Sequence, residues 1–501
     1  MIRSCFAARF TSLFTFIYLA CAITSCCSFA QSSPPEKAAQ TSLPNIVFIL
    51  ADDLGYGELG SYGQEKIKTP HLDQLAKQGL RFTQHYSGAP VCAPSRCVLL
   101  TGKKLSRASI RGNKEVQPEG QWPIAKDETT IAEILKARGY RTGAMGKWGL
   151  GPPRSEGAPE KQGFDFFYGY NCQRQAHNFF PPHLWLNGEK HLLNNPLFRP
   201  HQKVEGPEFD LEQFRGNEYA PELIANAALA FIRRNQKQPF FLYLPFVEPH
   251  LAMQPPEKWV NQYPADWDKK PYLGGRSYLP HPRPRAGYAA MISHLDDHVG
   301  RVVALIDELG LAENTLIVFT SDNGPTHDVG GVDTNFFASA GSLRGRKGSV
   351  YEGGLRVPTI ARWSGKIKGG STTDCISSFE DWLPTLSELG GAAKDKNAQG
   401  VSLVPTLLAK DGQVEHPYLS WEFYGYGGQQ AVRMGQWKGV RQKLKKGGEA
   451  IRLFDLNSDI GEQKDVAADH PKIVKKMGAI MRKDRTVNPD FPIKMLDQES
   501  K

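Results

Sequence analysis

Two continuous apolar runs, each closed by acidic residues, restrict what this chain can become. Asn45-Ile46-Val47-Phe48-Ile49-Leu50 leads into Ala51-Asp52-Asp53, and Leu316-Ile317-Val318-Phe319-Thr320-Ser321 leads into Asp322-Asn323-Gly324. Neither run alternates polar with apolar residues. Each therefore predicts a strand buried on both faces, as in a parallel sheet covered by helices. The intervening chain supplies the helices. Residues 71–80 carry Leu72, Leu75 and Ala76 at helical spacing and stop at Gly79, and 130–138 open with Thr130 and Glu133 placed for a capping box. Residues 219–235 and 288–309 read as longer helices, the second with Ile292, Leu295, Val299, Val302, Ile306 and Leu309 on one face. Residues 140–145 and 239–247 read as further strands. The alternation predicts an α/β fold, a large mostly parallel sheet sandwiched by helices.

The 501 residues leave room for a second unit. Past residue 400 the pattern shifts to short alternating strands at 431–441 and 451–456, then an amphipathic helix at 471–482. We read 45–400 as the main domain and 401–501 as a small C-terminal α+β subdomain with an antiparallel sheet and a helix. Residues 1–30 read as a signal peptide: Arg3 and Arg9 come first, then an apolar stretch over 10–23, then Ser28-Phe29-Ala30. That stretch is shorter than the roughly 20 residues a spanning helix needs. Residues 31–44 are a Pro-rich linker. The expectation is a secreted or periplasmic protein. Ile23-Thr24-Ser25-Cys26 also resembles a lipoprotein box, so the membrane enters only through lipidation at Cys26. Beyond the leader, Cys92, Cys97, Cys172 and Cys375 are too few for a disulfide scaffold. The net charge of +9 is spread along the chain, which suits anionic substrates but argues against nucleic acid as a partner.

In open α/β sheets, ligands lie beyond the carboxyl ends of the strands. The acids Asp52, Asp53 and Asp322, with the amide of Asn323, would meet at one such edge. Carboxylate and amide oxygens suit a hard divalent cation, Ca²⁺ or Mg²⁺. An Asp after a strand is also a common turn former or helix cap. Cys92-Ala93-Pro94-Ser95-Arg96 precedes a short apolar helical stretch, which places Cys92 and Arg96 near a helix N-terminus suited to oxyanions. The alternatives are a Cys92–Cys97 disulfide or an inert thiol. Lys147 and Lys347 sit in Gly-rich turns, where lysines are usually solvated but where glycine allows a close backbone approach. His250 closes another apolar run, and His177 lies in Gln175-Ala176-His177-Asn178. Asp296-Asp297-His298 tempts as a metal triad, but its register predicts the solvated side of the long helix.

Taken in order, these motifs resemble the type I sulfatases of the alkaline-phosphatase-like superfamily. They comprise Asp52-Asp53-Leu54-Gly55-Tyr56-Gly57, Cys92-x-Pro94-Ser95-Arg96 with Leu100-Thr101-Gly102, Gly146-Lys147-Trp148, Ser321-Asp322-Asn323-Gly324, and Gly345-x-Lys347 with Glu352-Gly353-Gly354-x-Arg356. The resemblance implies that a maturation enzyme oxidises Cys92 to formylglycine, whose hydrate attacks the sulfur of a sulfate ester. It implies that Asp52, Asp53, Asp322, Asn323 and residue 92 hold Ca²⁺, with Mg²⁺ the alternative. Arg96 would orient the hydrate, Lys147 and Lys347 would bind the sulfate oxygens, and His250 would serve the leaving alkoxide. One place departs from the family: the usual His two residues after the first lysine is Gly149 here. Either His177, which would bind substrate, or water takes its part, or turnover is slow, or the reaction differs. The expected substrate is a sulfated small molecule or carbohydrate. The rival readings are a phosphate or phosphonate ester hydrolase of the same superfamily and a non-catalytic sulfated-glycan-binding protein.

Overall fold

The computed structural model describes residues 43–205, 210–275 and 277–499. The leader, nearly all of the linker and Cys26 lie outside the described residues. Sixteen strands follow in chain order among the described residues: β1 (Asn45–Ala51), β2 (Leu80–Phe82), β3 (His85–Tyr86), β4 (Arg141–Lys147), β5 (Phe166–Tyr170), β6 (His183–Leu186), β7 (Glu189–Leu192), β8 (Phe240–Pro245), β9 (Thr315–Ser321), β10 (Thr359–Arg362), β11 (Ser371–Thr373), β12 (Ser377–Ser378), β13 (Leu419–Phe423), β14 (Gln429–Met434), β15 (Trp437–Arg441) and β16 (Arg452–Asp455). Ten of them form one sheet in the order β11-β2-β10-β9-β1-β8-β4-β5-β6-β7. The consecutive run β9, β1, β8, β4 and β5 is parallel throughout, and antiparallel pairings flank it on both sides. The fold is the expected α/β arrangement.

β1 shows why its sequence does not alternate. Ile46, Phe48 and Leu50 enter the core on one face of the sheet, with Val98, Leu383 and Trp382. Val47, Ile49 and Ala51 enter the core on the other, with Ile292, Leu295 and Ile306. Both faces are roofed by helices, so every residue of β1 is buried. The capping box forms as read: Thr130 Oγ accepts from Glu133 N–H, and Glu133 Oε2 accepts from Thr130 N–H at 2.8 Å, at the start of helix Ile131–Ala137.

Two expectations change. The stretch 431–441 is not one strand but the hairpin β14–β15. Gly435 turns the chain at φ +55°, and Met434 pairs with Trp437 across the turn. The alternation runs on through the turn and so hides it. The triad Asp296-Asp297-His298 is not solvated. Helix Pro284–Glu308 is covered on that side as well, and Asp296 and His298 are buried. Asp296 accepts from the backbone N–H groups of His71 and Leu72 at 3.1 and 2.7 Å. It thereby closes the open end of helix Pro70–Gln78 from a distance in sequence.

The second sheet, in the order β13-β14-β15-β16, is antiparallel. Val432 and Leu453 pack against Met477 and Met481 of helix Pro471–Lys483. No helix among the described residues is long and apolar enough to cross a membrane.

Candidate active site

The four adjacent parallel strands β9, β1, β8 and β4 all run toward one rim, and each delivers a polar residue there. β1 ends at Asp52 and Asp53, β9 at Asp322 and Asn323, β4 at Lys147, and β8 leads to His250. Cys92 opens helix Cys92–Thr101 beside that rim, with Arg96 one turn further on. Lys347 arrives on the loop before helix Glu352–Leu355. All the residues picked out as Cys92, Arg96, Lys147, Lys347, His250, Asp52, Asp53, Asp322 and Asn323 are buried.

Their contacts interlock. Cys92 Sγ lies 3.4 Å from Asp52 Oδ1, 4.0 Å from Asp53 Oδ1 and 3.7 Å from Lys147 Nζ. Lys147 Nζ pairs with Asp52 Oδ2 at 2.5 Å. Arg96 donates through Nε and Nη2 to Asp322 Oδ2 at 3.0 and 2.8 Å, and its Nη2 also lies 3.1 Å from Asp52 Oδ2. Lys347 Nζ donates to Asp53 Oδ2 at 2.8 Å and to His250 Nε2 at 3.2 Å. Asp53 itself holds a left-handed backbone, φ +67°, an uncommon conformation for a residue with a side chain. Among the described residues no cysteine pair is bridged; Cys92, Cys97, Cys172 and Cys375 are free, and Cys97 faces Ser109 and Glu128 instead.

The charges set the chemistry. Burial raises the Cys92 thiol well above its ordinary range, and the charge of Asp52 raises it further. As encoded, this residue is a protonated thiol and a poor nucleophile. Burial would raise Asp52 too, but Lys147 and Arg96 outweigh it and hold that carboxyl far below the usual range. Asp322 is pushed up to about 6 by burial and by the charge of Asp52, against the pull of Arg96. The His250 imidazole is driven well below its ordinary value by burial and by the charges of Lys347 and Lys147. It is therefore neutral, with Nδ1 directed at the Leu251 carbonyl at 2.7 Å and Nε2 left to accept from Lys347.

A hard cation fits the acidic side of this rim. Asn323 Nδ2 donates to Asp53 Oδ1 and to the Gly324 carbonyl, and Asn323 Oδ1 is buried without a partner among the described residues. A ligand atom from each of Asp52, Asp53, Cys92 and His250 lies within 4.8 Å of the other three. Two carboxylates, a thiol and an imidazole thus stand close enough together to hold a metal ion.

His177 sits behind the rim, its ring stacked on that of His250 at 4.8 Å and 12°, with Nδ1 3.3 Å from His201 Nε2. Three further residues stand here that the sequence did not signal. Tyr278 meets His177 edge-on at 5.1 Å. Tyr426 comes from the C-terminal part, bonds His327 at 3.1 Å and packs its ring on Gly348. Gln173 fills the space beside Gly149: a Cβ at Gly149 would meet Gln173 Nε2 at 2.8 Å, and Gly149 has φ +73°. All three lie in irregular segments, where no period marks them.

The chain is similar to known proteins over most of its length. The family profile described as "Sulfatase" matches residues 44–392, and that described as "N-sulphoglucosamine sulphohydrolase, C-terminal" matches 346–486. The chain is 36% identical to human arylsulfatase A over 410 residues, covering 79% of this chain and 74% of that one. It is 32% identical to mouse steryl-sulfatase, covering 75% and 67%. The crystal structure of Ps i-CgsB in complex with k-i-k-neocarrahexaose superposes with a TM-score of 0.73 at 28% identity, covering 88% of this chain and 92% of that one.

Proposed function

The chain belongs to the sulfatase family, and from that premise we propose that it is an exported, Ca²⁺-dependent enzyme that cleaves sulfate esters of carbohydrates through a formylglycine made from Cys92. The position of Cys92 Sγ carries the reading: it lies 3.4 Å from Asp52 Oδ1 and 3.7 Å from Lys147 Nζ, between the acidic and the cationic halves of the rim. A thiol held protonated by burial gains a catalytic role there only once it has become a harder nucleophile. Formylglycine in its hydrated form supplies that oxygen nucleophile toward sulfur. Asp52, Asp53, Asp322, Asn323 and residue 92 would hold Ca²⁺, with Mg²⁺ the alternative, and the cation would lower the charge of the sulfuryl oxygens.

The remaining residues divide the work. Lys147, whose Nζ lies 3.7 Å from Cys92 Sγ, and Lys347, paired with Asp53, would bind the sulfate oxygens. Arg96, clamped between Asp52 and Asp322, fixes the acidic side and faces residue 92 from its own helix. His250 keeps Nε2 free of its own proton and next to Lys347, so a proton held between those two atoms is in place for the leaving oxygen. His177, stacked on His250, would bind substrate and assist release where Gly149 offers no side chain, with water the alternative. A carbohydrate substrate is supported by the neocarrahexaose complex of Ps i-CgsB and by 32% identity to human N-acetylgalactosamine-6-sulfatase. Export, with lipidation at Cys26 as its variant, rests on the composition of residues 1–30.

The test is production with a formylglycine-generating enzyme, followed by turnover of an aryl sulfate and its phosphate analogue in Ca²⁺. Sulfate release, with a loss of about 18 Da on the peptide bearing residue 92, supports the reading. Faster release of phosphate moves the assignment to the phosphate-ester rival. Converted, Ca²⁺-loaded protein that binds sulfated glycans without turnover leaves the binding protein. A desulfation screen on sulfated oligosaccharides then names the substrate. The N-terminus of the mature protein, read by mass, tests export.

A further inference from the structure

His294 and His298 are four residues apart on helix Pro284–Glu308, so their side chains share a face. That face is turned inward, against the segment following β8 and the helix Ala220–Asn235. His294 Nδ1 lies 3.0 Å from Glu248 Oε1, and His294 Nε2 lies 3.2 Å from Glu222 Oε1. His298 Nε2 lies 3.7 Å from the same Glu248 Oε1. Glu248, His294 and His298 are each 0% exposed. A ligand atom from each of Glu222, His294 and His298 lies within 4.8 Å of the other two.

Four buried polar atoms around this point have no hydrogen-bond partner among the described residues: His298 Nε2, Glu248 Oε2, Tyr219 Oη and Trp259 Nε1. The rings of His298, Tyr219 and Trp259 surround His294 at 4.1, 5.5 and 5.7 Å. One unsatisfied buried polar group costs about 1–3 kcal/mol, so a cluster of them marks a place built for a polar guest.

We propose that His294 and His298, with the carboxylates of Glu222 and Glu248 on the two sides of His294, form a second metal site, separate from the catalytic rim, for a divalent ion of the zinc class. Two imidazole nitrogens and one carboxylate are the donors of Zn²⁺ rather than of Ca²⁺. The ligand-to-ligand separations of 3.0 and 3.7 Å bracket the edge of about 3.3 Å that a tetrahedron with bonds of about 2.0–2.1 Å requires. Glu222 takes the outer place: it accepts from His294 Nε2–H and so turns Nδ1 toward the ion. Arg301 Nη1 is 3.3 Å from His298 Nδ1. An arginine only donates, so in the metal-free protein His298 Nδ1 accepts and its Nε2 carries the proton, which the ion displaces to solvent on binding; Arg301 itself stays held by Glu222 Oε2 and Asn226 Oδ1. The site reaches the rim through the backbone, because the Glu248 carbonyl accepts from Asp52 N–H at 3.1 Å and His250 follows two residues on.

The test is metal analysis of the full chain after loading with Zn²⁺ and Ca²⁺ and dialysis. Wild type and Cys92→Ser are expected to retain about one zinc per chain, and His298→Ala and Glu248→Gln to lose it. Glu222→Gln, a milder change at the outer place, should weaken zinc binding by about 10–100-fold. Co²⁺ in the same protein should give the visible absorption of a tetrahedral site, absent in His298→Ala. Should His298→Ala fail to fold, the Glu222→Gln affinity and the Co²⁺ spectrum decide. Wild type that binds no zinc overturns the proposal. So does zinc that survives His298→Ala but is lost with Cys92→Ser, which would put the ion on the catalytic rim. Neither readout depends on turnover of a sulfate ester.

Discussion

Lys347 Nζ donates to His250 Nε2 across 3.2 Å, a contact that joins the loop before helix Glu352–Leu355 to the end of β8. It fixes the tautomer of His250 and, on the proposed function, would put a proton-bearing pair beside the leaving oxygen. His250→Ala and Lys347→Ala should each lower kcat on an aryl sulfate by about 10²–10³-fold. Steady-state kinetics on converted, Ca²⁺-loaded protein measures this, and thermal unfolding shows whether each variant remains folded.

Cys92→Ala should abolish turnover while leaving the fold in place. The side chain is small, and its Sγ makes only long contacts, the shortest 3.4 Å. A variant with more than about one part in 10³ of wild-type activity would show that residue 92 is not the nucleophile.

Removal of the cation should destabilise the protein. Without it the Asp52 and Asp53 carboxylates stand within 4.8 Å of each other in a buried rim, and Asn323 Oδ1 has no partner among the described residues. At Ca²⁺ concentrations about 100 times the dissociation constant, binding adds about 2.7 kcal/mol, so chelation should lower Tm by several degrees. Asn323→Ala should shrink that shift. Calorimetry with and without chelator reads both.

Gly149→Ala should destabilise by about 1–3 kcal/mol, because its backbone is left-handed and a Cβ would press on Gln173. Gly149→His, which restores the residue usual in the family, should for the same reason cost stability without raising kcat. Urea unfolding beside kinetics separates the two effects.

Acid should weaken the fold through His85. Burial lowers its imidazole to about 3 from an ordinary 6.5. Trp382 Nε1 donates to Nε2 at 3.1 Å, and Nδ1 faces Ser377 Oγ at 2.8 Å, so the neutral ring is fully used. The unfolded chain takes up a proton below about 6.5 that the fold refuses, so stability is complete above that pH and falls as pH drops toward 3. His85→Gln keeps a donor and an acceptor but cannot titrate. The gap between wild type and variant in urea unfolding should therefore narrow on acidification.

Much of this was legible in the residues. Strands buried on both faces announce themselves by unbroken apolar runs, and acids closing β1 and β9 must meet if those strands are parallel neighbours, as they are. Lys347 was harder to place. Nothing local distinguishes a lysine in a Gly-rich turn from a solvated one, and only the motif order of the family pointed to it. The burial of His298 was misread because a helix face looks polar whether it meets water or a neighbour such as Glu248. Gln173 and Tyr278 belong to loops whose course is set by tertiary packing, and short-range spacing carries no trace of it.

The depth of Cys92 imposes an order of events. Its side chain is 1% exposed, walled in by the ends of strands that reach from residue 45 to residue 321. An enzyme that oxidises this thiol must therefore reach it while the polypeptide is still open, before β9 is laid beside β1. On the proposed function, molecules that close too early would keep an inert sulfur sealed in a finished fold, and the yield of working protein would be decided before collapse rather than afterwards.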